Sequence, residues 1–114
     1  MEKMYKPSEE KLESINKQYY GIKNNLEILR QGMKSKEFSN MTKAEKQSIK
    51  YQYGFLKRAL RSSVLYLINY NYAHTAMLKD ALFNFRYINC YTRWRVIKEL
   101  AKRPIIALME DEVD

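Results

Sequence analysis

The sequence predicts an all-α fold: a compact single-domain bundle of about four helices, with a short aromatic ribbon as the alternative for part of residues 64–92. Three observations carry that prediction. Apolar residues recur at spacings of three and four over two long stretches, the period of a helix face. Glycines number three and prolines two, and neither residue occurs between Gly54 and Pro104, which leaves too few tight turns for an all-β chain. Hydrophobic residues make up 46% of 114 residues, and a chain of this length buries roughly two-thirds of its unfolded surface around one core.

The first helix is predicted over about residues 8–32. Leu12, Ile15, Tyr19, Ile22, Leu26, Leu29 and Met33 form a heptad seam. Ser8 is placed to cap it, Glu9 and Glu10 complement the dipole of its first turn, and Gly32 stands where it should stop. The seam serves either to pack on the rest of the domain or to form a homo-oligomer through Leu12, Ile15, Tyr19, Ile22, Leu26 and Leu29. After a polar stretch, Thr42 and Glu45 have the spacing of a capping box, in which hydroxyl and carboxylate satisfy each other's free backbone donors. A second helix is therefore expected from there to about residue 70, with Ile49, Tyr53, Leu56, Leu60, Val64 and Leu67 on its apolar face.

From Val64 to Arg95 aromatic residues with partial alternation compete with a helical stripe of His74, Leu78, Ala81, Leu82, Phe85 and Ile88. With no Asn-Gly turn to close a ribbon, a third helix over about 74–90 is preferred. A fourth, from about Thr92 to Arg103, is expected to bury Trp94, Ile97, Leu100 and Ala101 and to end at Pro104. Residues 105–114 form an acidic tail whose apolar first half docks and whose end frays.

Charge is segregated along this frame. Residues 1–40 carry eight Lys/Arg against six acids, residues 41–103 thirteen against three, and residues 104–114 none against four, giving +2, +10 and −4 of the total +8. Such a middle segment is either a solubility device or a footprint for a polyanion or an acidic protein surface. No run approaches the ~20 apolar residues that span a bilayer, so no membrane partner is expected. The lone Cys90 allows no intrachain disulfide, which fits a reducing, cytoplasmic setting, or the host cytoplasm for a viral protein.

Catalytic material is scarce. His74 is the only histidine and is expected as a hydrogen-bonded core residue; Cys90 is expected as a small buried hydrophobe. Three dispersed glycines build no phosphate-cradling loop, and Glu45, Asp80 and Glu99 have no spacing that pairs two carboxylates. The expectation is no enzyme, no cofactor and no metal.

Two features point to binding. At 100° per residue Lys43, Lys46, Lys50, Lys57 and Arg61 share one strip of the second helix, about 27 Å long, and Gly54 on that strip leaves room for a phosphate to approach. A plain solvated face would look similar. The second feature is a cluster of Arg86, Tyr87, Tyr91, Arg93, Trp94 and Arg95, followed by Lys98, Lys102 and Arg103; on a helix Tyr91, Arg95, Lys98 and Lys102 share a face. Arginine beside aromatics neutralises phosphate and stacks on exposed bases, and the same chemistry makes hot spots at protein interfaces. Ten tyrosines in all suit half-buried contact surfaces.

The function expected from these features is a non-catalytic basic protein that engages nucleic acid through Lys43, Lys46, Lys50, Lys57, Arg61, Arg86, Tyr91, Arg93, Arg95, Lys98 and Lys102. The alternatives are a protein that binds another protein or a nucleoprotein complex, and the homo-oligomer. The Lys-, Asn- and Tyr-rich, glycine-poor composition resembles small phage accessory proteins such as the anti-CRISPR inhibitors, which implies a nucleoprotein partner. The terminal Asp111-Glu112-Val113-Asp114 resembles the Glu-Glu-Val-Asp tail of cytosolic heat-shock chaperones, which implies capture by a basic clamp; within the chain, such a tail would screen the basic surface.

Overall fold

The computed structural model describes residues 7–105 and 108, with the side chain of Phe85 outside the description. Five α-helices and one 3-10 turn pack into one body: α1 (Glu9–Gly32), α2 (Lys36–Ser39), α3 (Lys43–Asn69), α4 (Thr75–Phe83), the turn Phe85–Tyr87, and α5 (Cys90–Ala101). The body measures 57 × 32 × 28 Å, its length set by the two long helices. Among the described residues there is no strand, so the ribbon alternative is excluded. No helix among them is long and apolar enough to cross a membrane.

α1 starts where Ser8 accepts a hydrogen bond from the Lys11 N–H. α3 starts at the capping box, with Glu45 Nα donating to Thr42 Oγ1 (3.2 Å) and Thr42 Nα donating to Glu45 Oε1 (2.9 Å). Those two bonds satisfy donors that no helical carbonyl can reach, a contribution of about 1 kcal/mol for such caps. Between them lies α2, a single turn capped by Ser35 that the polar stretch Met33–Met41 did not signal.

α1 runs back along α3, and its seam is consumed there. Tyr19 and Leu26 are fully buried with Leu60, Val64 and Leu67, while Ile15 and Ile22 pack at the margin. Each fully buried Leu contributes roughly 1.5–3 kcal/mol. Two of the six residues proposed to hold a homo-oligomer together are thus enclosed within the chain's own core.

α3 ends in a Schellman motif with asparagine in the left-handed position. Asn71 has φ 61, its N–H reaches Ile68 O at 3.1 Å, and the Tyr72 N–H reaches Leu67 O at 2.8 Å. The chain then turns into α4, and buried Asn16 of α1 fixes that turn. Its Nδ2 donates to Leu12 O (2.7 Å) and Tyr72 O (3.0 Å), and its Oδ1 accepts from the His74 N–H (2.9 Å). One turn further on, Asp80 of α4 accepts from Tyr19 Oη and Lys23 Nζ, both at 2.7 Å. Burial and the neighbouring Asp80 carboxylate raise the Tyr19 hydroxyl well above the ordinary tyrosine range.

The expected third helix over 74–90 is two elements. α4 stops at Phe83 because Asn84 leaves helical geometry and its side-chain amide takes the Asp80 carbonyl (2.7 Å). Asn89 then caps α5, its Oδ1 accepting from the Thr92 N–H at 2.9 Å. Two asparagines that hydrogen-bond locally outweigh a continuous apolar stripe. Leu78, Ala81 and Ile88 of that stripe are buried all the same. His74 is half-buried just before α4 and lies outside any helix.

α5 is rotated from its expected orientation. Thr92, Val96, Glu99 and Leu100 face inward, while Trp94 and Ile97 are about half exposed and Ala101 is exposed. Glu99 is buried because Arg103 reaches it at 3.3 Å, and the same guanidinium holds Ala73 O (2.9 Å) and Thr75 Oγ1 (3.1 Å). Arg103 thereby ties the end of α5 to the start of α4. Cys90, expected to be buried, is exposed at the first position of α5. Leu108 packs against the core and accepts from Lys79 Nζ at 2.6 Å; the acidic residues 110–114 lie outside the described residues.

Candidate functional site

The five cations of the predicted strip stand on one continuous helix, α3. Lys43 and Lys50 are exposed; Lys46, Lys57 and Arg61 are partly covered. Lys46 Nζ lies 5.8 Å from the centre of the Phe38 ring of α2, and Lys57 Nζ lies 5.7 Å from that of Tyr53. Neither arrangement neutralises the cation. A Cβ added to Gly54 would meet nothing within 4 Å, so the protein's own packing does not require glycine there.

Each of the three acids of the basic segment has a partner within the fold. Glu45 closes the α3 cap, and the backbone N–H of Thr42 holds its carboxyl below the usual range. Asp80 is taken by Lys23 and Tyr19, and Glu99 by Arg103, with Lys102 farther off at 3.8 Å. Among the described residues none of the three pairs with a cation of the α3 strip.

The outer face of α5 carries the second feature. Tyr91 and Trp94 are 52% and 51% exposed, with ring centres 6.0 Å apart and planes inclined at 41°. Each ring has a cation of the next turn beside it: Arg95 over Tyr91 at 5.9 Å, and Lys98 over Trp94 at 4.4 Å. Arg95 is held in place by Tyr91 Oη (3.0 Å) and by Asn69 at the end of α3. These four side chains, with Glu99 and Lys102 from the same end of the chain and Ile68 of α3, line a groove of about 300 Å³.

The groove thus unites Tyr91, Arg95, Lys98 and Lys102, the residues whose spacing put them on one face. Trp94, expected inside, joins them. Arg86 and Arg93 are exposed but do not line it: Arg86 sits on the 3-10 turn and Arg93 elsewhere on α5. Tyr87 belongs to the core. Its hydroxyl is enclosed beside Glu27 and Arg30 without a hydrogen bond of standard geometry, and burial pushes it up to about 12. The Glu27 carboxyl beside that hydroxyl and Arg30 is held low, and Arg30 is raised in turn.

Sequence reasoning missed the anchoring role of Asn69 and a tyrosine cluster at the end of α3. Tyr66 and Tyr70 lie 4.6 Å apart, and Tyr70 stacks with Tyr72 at 6.0 Å. The spacing of four between Tyr66 and Tyr70 was the available signal for the first pair.

No protein family, no curated protein and no solved structure matches this chain.

Proposed function

We propose that this chain is a non-catalytic nucleic-acid-binding protein, with α3 supplying backbone phosphate contacts through Lys43, Lys46, Lys50, Lys57 and Arg61 and α5 supplying Arg95, Lys98 and Lys102. One observation carries this reading. Within the +10 segment Glu45 closes the α3 cap, Asp80 pairs with Lys23, and Glu99 pairs with Arg103 and Lys102, so among the described residues no ion pair balances the cations of the α3 strip or Arg95 and Lys98 of the groove. A surface built only for solubility would intersperse signs. The exposed aromatics of α5 supply a second kind of contact in the same surface.

Gel-shift titration with random single- and double-stranded DNA and RNA at low and moderate salt tests the reading. Binding should be present at low salt and fall steeply at moderate salt, because neutralising phosphates releases condensed counterions. A Lys43→Gln, Lys46→Gln, Lys50→Gln, Lys57→Gln variant should lose most of it. Absence of binding to all four at low salt would defeat the reading in favour of an acidic protein surface as partner.

A further inference from the structure

We propose that the α3–α5 groove is a stacking site for an unpaired base, so that the protein prefers single-stranded nucleic acid over duplex. This rests on the nucleic-acid reading and adds to it the form of the ligand. A helix that meets only phosphates has no use for exposed rings, yet α5 turns Tyr91 and Trp94 outward while the smaller Val96 and Leu100 fill the core. That choice costs buried apolar area, and an external π-face recovers it when a base stacks.

The groove has the parts such a site needs. Ile68, the inclined rings of Tyr91 and Trp94, and the cations Arg95, Lys98 and Lys102 line it, and the one acid among the lining residues, Glu99, is paired with Arg103 and Lys102. Its volume of about 300 Å³ is at the lower end of the ~300–1,000 Å³ typical of small-ligand sites. Lys98 covers one face of the indole at 4.4 Å and half of the residue's surface is still open, so base and ammonium share the ring. Arg95 is pinned by Tyr91 and Asn69, which fixes a guanidinium beside the bound base at little further entropic loss. Bases paired within a duplex present no free face to these rings.

Trp94 is the sole tryptophan, so its fluorescence reports on this groove alone. The probes are a short oligothymidylate, an abasic deoxyribose-phosphate chain of equal length, and a DNA hairpin closed by a base-free linker, each titrated at low salt with anisotropy of an end label read in parallel. Oligothymidylate should quench Trp94 and bind about 5- to 150-fold more tightly than the abasic chain, the range for one stacked base. Trp94→Ala and Tyr91→Ala, read by anisotropy, should each bring oligothymidylate towards the abasic affinity and so erase the preference for the base-bearing chain; both residues are half exposed, so the variants fold. Equal affinity for the abasic and base-bearing chains without quenching overturns the stacking site and leaves the nucleic-acid reading standing. Failure of all three probes to bind overturns both.

Discussion

The two faces of α5 are built from opposite materials. Inward it presents Thr92, Val96 and Leu100, modest side chains packed against α3 and α4, with one acid neutralised by Arg103. Outward it presents Tyr91, Trp94 and Ile97 among Arg95, Lys98 and Lys102. The inner face therefore accounts for stability, and the contact proposed above falls on the outer one. The same division runs through the rest of the molecule: Asn16 and Asp80 are fully engaged inside, whereas Lys43 and Lys50 stand exposed.

The largest effect should come from the inner face. Leu100→Ala is expected to cost about 2–4 kcal/mol in urea unfolding, for lost burial and a residual cavity. Trp94→Ala should cost less than about 1 kcal/mol, since it gives up mainly half-exposed ring contacts. Equal costs would erase the distinction between the faces. Asn16→Ala ranks next, at about 2–3 kcal/mol, because Tyr72 O and the His74 N–H lose their side-chain partner in a part-buried site.

Alkaline pH probes the interior from another direction. Tyr87 holds its proton to about pH 12 in the folded state, whereas an unfolded tyrosine releases it near ~10. Its contribution is full below about pH 10 and is lost as pH rises towards 12, and Tyr19 acts in the same sense. Thermal unfolding of Tyr87→Phe should match or exceed the parent at pH 7, since the enclosed hydroxyl makes no hydrogen bond of standard geometry, and should decline less between pH 10 and 11. The smallest effect concerns the outer strip: Gly54→Ala should stabilise α3 by about 0.5–1 kcal/mol, because nothing occupies the space of the new methyl group. Weaker oligonucleotide binding by that stabilised variant would show close approach at this point.

How much of this was legible in the sequence follows from where the deciding interactions lie. Ser8 and the Thr42–Glu45 pair are local signals, and they placed the starts of α1 and α3 within a residue. The break between α4 and α5 depended on Asn84 and Asn89, whose local bonds are invisible beneath an uninterrupted apolar stripe. α5 has two apolar stripes, Val96 with Leu100 and Trp94 with Ile97 and Ala101, centred roughly 110° apart at 100° per residue. Glu99 is buried beside Arg103, four residues on and folded against Ala73, a long-range tie that the spacing of apolar residues does not reveal. The binding candidates fared as their spacing dictated: Tyr91, Arg95, Lys98 and Lys102 converge in the groove, while Arg86 and Arg93, chosen for composition alone, do not.

The most direct test of the central claim is the salt dependence of oligonucleotide affinity for the parent and for Lys43→Gln, Lys50→Gln. Both lysines are exposed on α3, so their loss should leave stability nearly unchanged. If they meet phosphates, the slope of log K against log salt becomes shallower by about 1.4–1.8, at ~0.7 per contact on single strands and ~0.9 on duplex. An identical slope in parent and variant, at whatever affinity, would contradict the assignment of α3 as the phosphate-binding strip.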